Sequence, residues 1–255
     1  MKNLQRFLAS ASLIALLGAG CGAPSAPSPT DDSPAMPGSG SVRGGSACGS
    51  EYYPLKEGSS ITYMTRNGGS DIPFKISVLQ HDATNIKLQY DITVRDTVAH
   101  INQELVCDAN GAIRGKGYFD FAQAFLGLDI KYEVLESTGE IFPSDFRVGK
   151  EWNTGFKVKI TSADTSPIAR MMNGQVVTTS VNSKVIAEES VTVPAGTFTA
   201  MKVAQTTTID QSIGGRAVHT VTNNNVWYVK GVGLVKTEST SAGSTFTMEA
   251  QTIQN

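Results

Sequence analysis

Cysteine, tryptophan and histidine are scarce in this 255-residue chain, at three, two and three residues. His81, His100 and His219 are scattered, and no His-x-His or Cys-x-x-Cys spacing supplies a metal ligand set, so no metal is expected. Catalytic signatures are lacking too: there is no G-x-S-x-G elbow, no H-E-x-x-H and no phosphate-cradling G-x-x-x-x-G-K-[ST]. Asp31-Asp32 falls in a Pro/Gly/Ser-rich stretch and Glu188-Glu189 on a strand-like one, so both read as solvated charges. Gly214-Gly215 reads as a hairpin turn, with no helix after it to present phosphate. The expectation is a protein without catalytic residues or cofactor.

A long hydrophobic run is missing as well. The most apolar stretch, Phe7 to Leu17, has 11 residues, against the roughly 20 that a membrane-spanning helix needs. It follows Lys2 and Arg6 and precedes Gly18-Ala19-Gly20, the order of an export signal over residues 1–20. Cys21 comes directly after the small residues, where lipoprotein processing needs a thiol to carry diacylglycerol. Such signals usually place Leu three residues before the cysteine, and here that place is Gly18. The alternative is plain cleavage after Gly20, releasing a soluble protein. Gly22, not Asp, follows the cysteine, the pattern of lipoproteins sent to the outer membrane where the host has two membranes. The expected location is the cell envelope, with the lipid anchor as the membrane contact.

From Gly22 to Ala47, 16 of 26 residues are Gly, Pro or Ser and none is aromatic. That composition cannot bury enough apolar area to offset its conformational entropy. It reads as a linker, whose random-coil reach is about 30 Å. Residues 21–47 are therefore a lipidated tether and 48–255 a domain. In an exporting context, the two cysteines left in that domain, Cys48 and Cys107, are expected to pair; two free thiols or a metal pair, for which further ligands are lacking, are the alternatives. Without Lys2 and Arg6 the chain keeps 19 basic and 23 acidic residues, a net charge of −4 with no basic cluster, which excludes nucleic acid as a partner.

What the domain has in abundance is Thr, Val and Ile in alternation. Ile86, Leu88, Tyr90, Ile92 and Val94 alternate with Lys87, Gln89, Asp91 and Thr93, the period of a half-exposed antiparallel strand. The pattern recurs over 72–78, 101–107, 130–134 and 156–160. Asn67-Gly68-Gly69, Asn110-Gly111, Asn173-Gly174, Pro194-Ala195-Gly196, Gly214-Gly215 and Lys230-Gly231 supply turns. About ten strands in meander order follow, as a mainly β fold. Tyr118, Phe119, Phe121, Phe125, Leu126 and Leu128 break the alternation, so a short helix or apolar loop is expected near 118–128, as a plug or as a lid for a hydrophobic ligand. YYPLKEGSSITY and FPSDFRVGKEWNT share a Pro, then a basic residue two before Gly, then an aromatic, which hints at internal duplication.

YYPLKEGSSITY (52–63), VTVPAGTF (191–198) and WYVKGVGLVK (227–236) resemble a broad family of uncharacterised bacterial lipoproteins with V-P-A-G-T-F and W-Y-x-x-G-V-G-L-V-K motifs. Ile61 stands where the first motif usually has Trp. The resemblance implies a fold similar to the half-open β-barrel of the LolA/LolB lipoprotein carriers: a single curved antiparallel sheet around a hydrophobic concavity. The motifs also have structural readings, Pro194-Ala195-Gly196 as a turn and Trp227 as packing on the sheet, and treating Trp152 or Trp227 as ligand-stacking residues is the sharper alternative. Two functions stand open: binding of a lipid or other hydrophobic ligand, or an envelope interaction or structural role through the outer surface. No ligand-binding residue is named by the sequence.

Overall fold

The computed structural model describes residues 50–53, 56–67, 70–82, 84–94, 97–108, 110–115, 130–213, 215–241 and 244–254. Cys21, Cys48 and the aromatic stretch near 118–128 lie outside these residues.

Twelve strands run as one antiparallel meander: β1 (Ser60–Asn67), β2 (Ser70–His81), β3 (Asn85–Val94), β4 (Thr97–Cys107), β5 (Ile113–Gly115), β6 (Ile130–Gly139), β7 (Glu151–Ser162), β8 (Val176–Val193), β9 (Gly196–Ile213), β10 (Arg216–Val229), β11 (Gly233–Ser241) and β12 (Ser244–Gln254). Alternating β-branched residues favour this pleated backbone and give each strand one inward and one outward face. β1 pairs with β12, so the sheet curls into a barrel in which, among the described residues, β5 and β6 are the neighbouring strands left unpaired with each other. The half-open barrel expected from the sequence is what forms, with twelve strands among the described residues where about ten were expected. The short β5 carries too few residues to show a period.

The expected turns fall between strands. Val193 pairs with Gly196, leaving Pro194-Ala195 as a two-residue connection. Gly196 has φ 142°, and a Cβ there would lie 3.2 Å from the Phe198 ring. A side chain at this position would therefore be both strained and crowded. The one helix among the described residues, α1 (Pro167–Met172), interrupts the strand rhythm. Ser166 caps it by accepting from the Ala169 N–H at 3.2 Å, and Pro167 opens its first turn.

The hint of duplication has a geometric counterpart. Gly58 (φ 83°) donates to the Val78 carbonyl at 2.9 Å while Val78 donates back to Ser59 at 3.0 Å. Gly149 (φ 88°) and Lys150 make the same pair of bonds with Val185, at 2.8 and 2.9 Å. Across the β3–β4 hairpin Asp91 faces His100 at 2.6 Å, and across β9–β10 Asp210 faces His219 at 2.7 Å. Matched on these pairs, both hairpins turn at the same point: Val94 and Thr97 coincide with Ile213 and Arg216. Two six-stranded halves, β12 with β1–β5 and β6–β11, thus repeat one plan.

Candidate functional site

Two apolar clusters lie inside the barrel. The larger gathers Tyr63, Ile86, Leu88, Tyr90, Leu105, Val185, Val203, Val226 and Val235 with aromatic rings at one end. The smaller, toward the opposite end, holds Ile130, Phe156, Val158, Ile160, Val177 and Ile209, with Tyr132 and Met172 of α1 against it. The long strands β8 and β9 run through both.

Between the clusters the inward face is polar. Ser183, Gln205, Asn224 and Ser239 are successive cross-strand neighbours from β8 to β11, all buried. Thr207 and Thr222 form the next rung and Thr179 the one after, each 2% exposed or less. The Gln205 side-chain N–H donates to Ser183 Oγ at 3.1 Å, Asn224 donates to Thr207 Oγ1 at 3.4 Å, and the Ser239 hydroxyl donates to Asn224 Oδ1. Gln205 Oε1, Thr179 Oγ1 and Thr222 Oγ1 find no partner among the described residues. No charged side chain is among the buried residues described.

The end of the larger cluster is stoppered by aromatics. Phe142 and Phe146, in the loop before β7, meet each other at 4.5 Å between ring centres and Tyr228 at 5.2 and 5.7 Å. Tyr53 packs on Phe142 at 5.2 Å and Tyr52 on Phe146 at 5.1 Å. Trp152 joins them and donates to the Ile141 carbonyl at 3.3 Å, so it is a packing residue here. Burial pushes the Tyr53 phenol up to about 12 and that of Tyr228 further, so both stay protonated. Tyr63 and Tyr90 shift the same way, and their hydroxyls donate to the Leu234 carbonyl (2.8 Å) and Gln103 Oε1 (2.6 Å). The Glu51 carbonyl beside this end accepts from the Gly231 N–H at 2.7 Å and its carboxylate pairs with Lys230 at 2.8 Å, so the described chain starts at the stoppered end.

The seam is fastened at that same end. Ile113 of β5 donates to the Phe142 carbonyl at 2.9 Å and accepts from Ile141 at 2.9 Å. Arg114 reaches the Gly139 carbonyl of β6 at 3.3 Å while its Nε and Nη2 hold Asp108 Oδ2 at 3.1 and 2.9 Å. Farther along, no described strand pairs with the outer edge of β6, whose Val134 and Leu135 are exposed. Burial pushes the Asp108 carboxyl up, but bonds from Arg114, Asn110 and Ala112 outweigh it and hold it below the ordinary 3.8. A lowered carboxyl stabilises fully above its unfolded value, and the contribution is lost as pH falls through the folded one. Arg114→Ala is expected to cost about 1.5 kcal/mol in urea unfolding at neutral pH. The difference from the parent should shrink as pH falls below 3.8 and the Asp108 carboxyl takes up its proton; an undiminished one in acid would refute the Asp108 link.

Trp227 is 5% exposed although it faces outward. Lys202 and Lys236 on the flanking strands lie 5.0 and 5.4 Å from its ring centre, and its Nε1 donates to Glu189 Oε1 at 2.8 Å. That bond, then Lys202, holds the Glu189 carboxyl low despite partial desolvation. The tryptophan-lysine motif thus builds a covered outer patch by cation–π packing. Cys107 ends β4, half-buried against the larger cluster. Its expected partner Cys48 lies outside the described residues, and thiol labelling of the non-reduced protein should find both blocked; labelling of both would overturn the pairing.

The sequence profile of the DUF3108-like family matches residues 63–247, which include the polar rungs, the aromatic stopper's Phe142 and Phe146, and both Asp–His hairpins. The chain belongs to the DUF3108-like family. Among solved structures, it is similar to a Bacteroides fragilis protein described as exported with a YmcC-like fold, at 15% identity and TM-score 0.53, covering 79% of this chain and 98% of that one. That likeness shows the fold. A Parabacteroides distasonis protein described as a lipoprotein (17% identity, TM-score 0.49, 80% and 98% covered) and the hypothetical lipoprotein YmcC of Escherichia coli (10%, 0.31, 76% and 83%) are more distant. No curated protein is significantly similar to the chain. Within the family frame, the polar rungs are what sequence reading missed: Ser, Thr, Asn and Gln at strand positions look the same facing in or out.

Proposed function

We propose that this DUF3108-like protein is a bacterial envelope lipoprotein, anchored through Cys21 and spaced by residues 22–47, whose barrel takes a lipid or other hydrophobic ligand. In a host with two membranes, Gly22 after the cysteine favours the outer membrane. The observation that carries the ligand reading is the divided interior. One apolar cluster is stoppered and internally packed, whereas the other lies beside the stretch of seam where β6 has no described strand partner. A seam bordered by apolar side chains suits a ligand whose affinity comes from buried apolar area. Such a mode is that of the half-open LolA/LolB carriers, to whose fold that of the lipoprotein family resembled by the motifs is similar. No catalytic role is proposed.

The aromatic stopper favours a second reading, a barrel filled by its own side chains that meets an envelope protein through its outer surface. Native mass spectrometry of the protein purified from its own host separates the two. Retained lipid is the expected result. An unliganded mass, together with crosslinks to an envelope protein, would replace the first reading with the second.

A further inference from the structure

We propose that Thr179, Ser183, Gln205, Thr207, Thr222 and Asn224 form a head-group site for an acyl lipid whose polar part is uncharged and carries hydroxyl groups. The proposal rests on the reading of the barrel as a hydrophobic-ligand binder and adds which ligand it selects.

The duplicated plan shows that the fold does not need polar residues here. With the hairpins matched on their Asp–His pairs, Gln205, Thr207 and Asn224 occupy the places that Ile86, Leu88 and Leu105 fill in the other half. All three apolar counterparts are 1% exposed or less. A buried amide or hydroxyl costs free energy unless it is bonded, so an apolar choice was open and was not taken. Thr222 matches Gln103, and there the first half satisfies its polar group, with Tyr90 Oη 2.6 Å from Gln103 Oε1. In the second half, the matching Thr222 hydroxyl, Gln205 Oε1 and Thr179 Oγ1 have no partner among the described residues, and all three residues are more than nine-tenths buried. Buried polar atoms in native proteins nearly always have a partner, so these three face one that is not part of the described sheet.

The chemistry of the unmet atoms describes that partner. One Gln205 side-chain N–H donates to Ser183, and the unpartnered Oε1 is an acceptor that calls for a donor. The two threonine hydroxyls can each give and take a hydrogen bond. A hydroxyl-bearing group answers all three. A phosphate or carboxylate does not, because no buried cation is present among the described residues to pair it. The rungs sit between two apolar clusters, which places a polar group beside acyl chains.

The test titrates the full exported chain carrying Cys21→Ser with four probes of one chain length: 1-monolauroylglycerol, dodecyl maltoside, laurate and lauroyl lysophosphatidate. The neutral probes should bind at least about tenfold more tightly than the charged ones, the scale of one good hydrogen bond. The tighter of the two neutral probes tells a glycerol head from a sugar head. Gln205→Leu should weaken neutral binding about tenfold and leave laurate unchanged. Its thermal midpoint should stay at or above the parent's, since Ile86 fills the matching place; Thr222→Val provides a second variant with the same expectation. Equal affinity for charged and neutral probes, or unchanged selectivity in Gln205→Leu, overturns the head-group site while the ligand reading survives. No binding by any probe overturns the ligand reading itself.

Discussion

Replacing Phe142 with Ala is expected to lower the thermal midpoint by about 12 °C, from a loss of about 4 kcal/mol in a domain of this size. The residue is 1% exposed, and its ring touches those of Tyr53, Phe146, Trp152 and Tyr228. Truncation removes a buried aromatic together with its ring contacts and leaves a cavity that the Trp152 and Tyr228 rings fill only in part. The location magnifies the effect. Phe142's own backbone bridges to Ile113, so the ring that stoppers the barrel also holds the fastened end of the seam. Val148→Ala, at a side chain 49% exposed a few residues on, should change stability by about 0.5 kcal/mol or less and serves as the control. Near-ultraviolet circular dichroism, which reads the packed aromatics, is the measurement. A midpoint within about 2 °C of the parent's would show that the stopper is dispensable to the fold.

That end of the barrel was only partly legible in the sequence. The aromatic-rich stretch near 118–128 drew attention as a plug and lies outside the described residues, while the stopper seen is assembled from Tyr52, Tyr53, Phe142, Phe146, Trp152 and Tyr228. These come from three separate parts of the chain, so no local density of aromatics announced them. Strands were legible for the opposite reason. Ile86 to Val94 alternates because each successive side chain must face the core or the water, and the register with β4 keeps that division. Trp227 illustrates a third case. Its strand was evident, but its burial on the outward face was not, because consecutive strand residues face opposite sides and the cover of Trp227 comes from Lys202 and Lys236 on the neighbouring strands.

The polar rungs failed to show for a chemical reason. Period-two reasoning assigns polar residues to the solvent face, so a strand such as VVTTSVNSKV, with Thr179 and Ser183 turned inward beside Val181 and Val185, gives a blurred signal. A better signal was present in the spacing. DITVRDTVAH and DQSIGGRAVH both place Asp and His ten-residue end to end, and aligning them sets Ile86 against Gln205 and Leu105 against Asn224 without coordinates. Internal comparison of duplicated halves thus exposes polar-for-apolar exchanges that hydropathy alone averages away.

Cys21→Ser is expected to shift nearly all of the protein from the membrane fraction to the soluble one. Two acyl chains on the diacylglyceryl cysteine, at about 0.8 kcal/mol per buried CH₂, hold a protein at a bilayer where a single chain does so only marginally. The described domain offers no replacement anchor of the helical kind, since no helix there is long and apolar enough to cross a membrane. Glu151, Lys157, Lys159 and Lys184 place charges outward on β7 and β8, on the face that a membrane-spanning barrel would turn to lipid. The competing outcome is an uncleaved variant held at the membrane by the Phe7–Leu17 run, which is short of a full span. Incorporation of labelled palmitate resolves this, because the parent takes the label whether or not the variant is processed. A parent protein that is soluble and unlabelled would mean plain cleavage after Gly20 and defeat the lipoprotein reading. A labelled parent and an unlabelled, released variant would leave the barrel tethered at its stoppered end, where Glu51 meets Gly231, with the polar rungs and the smaller apolar cluster farther from the tether.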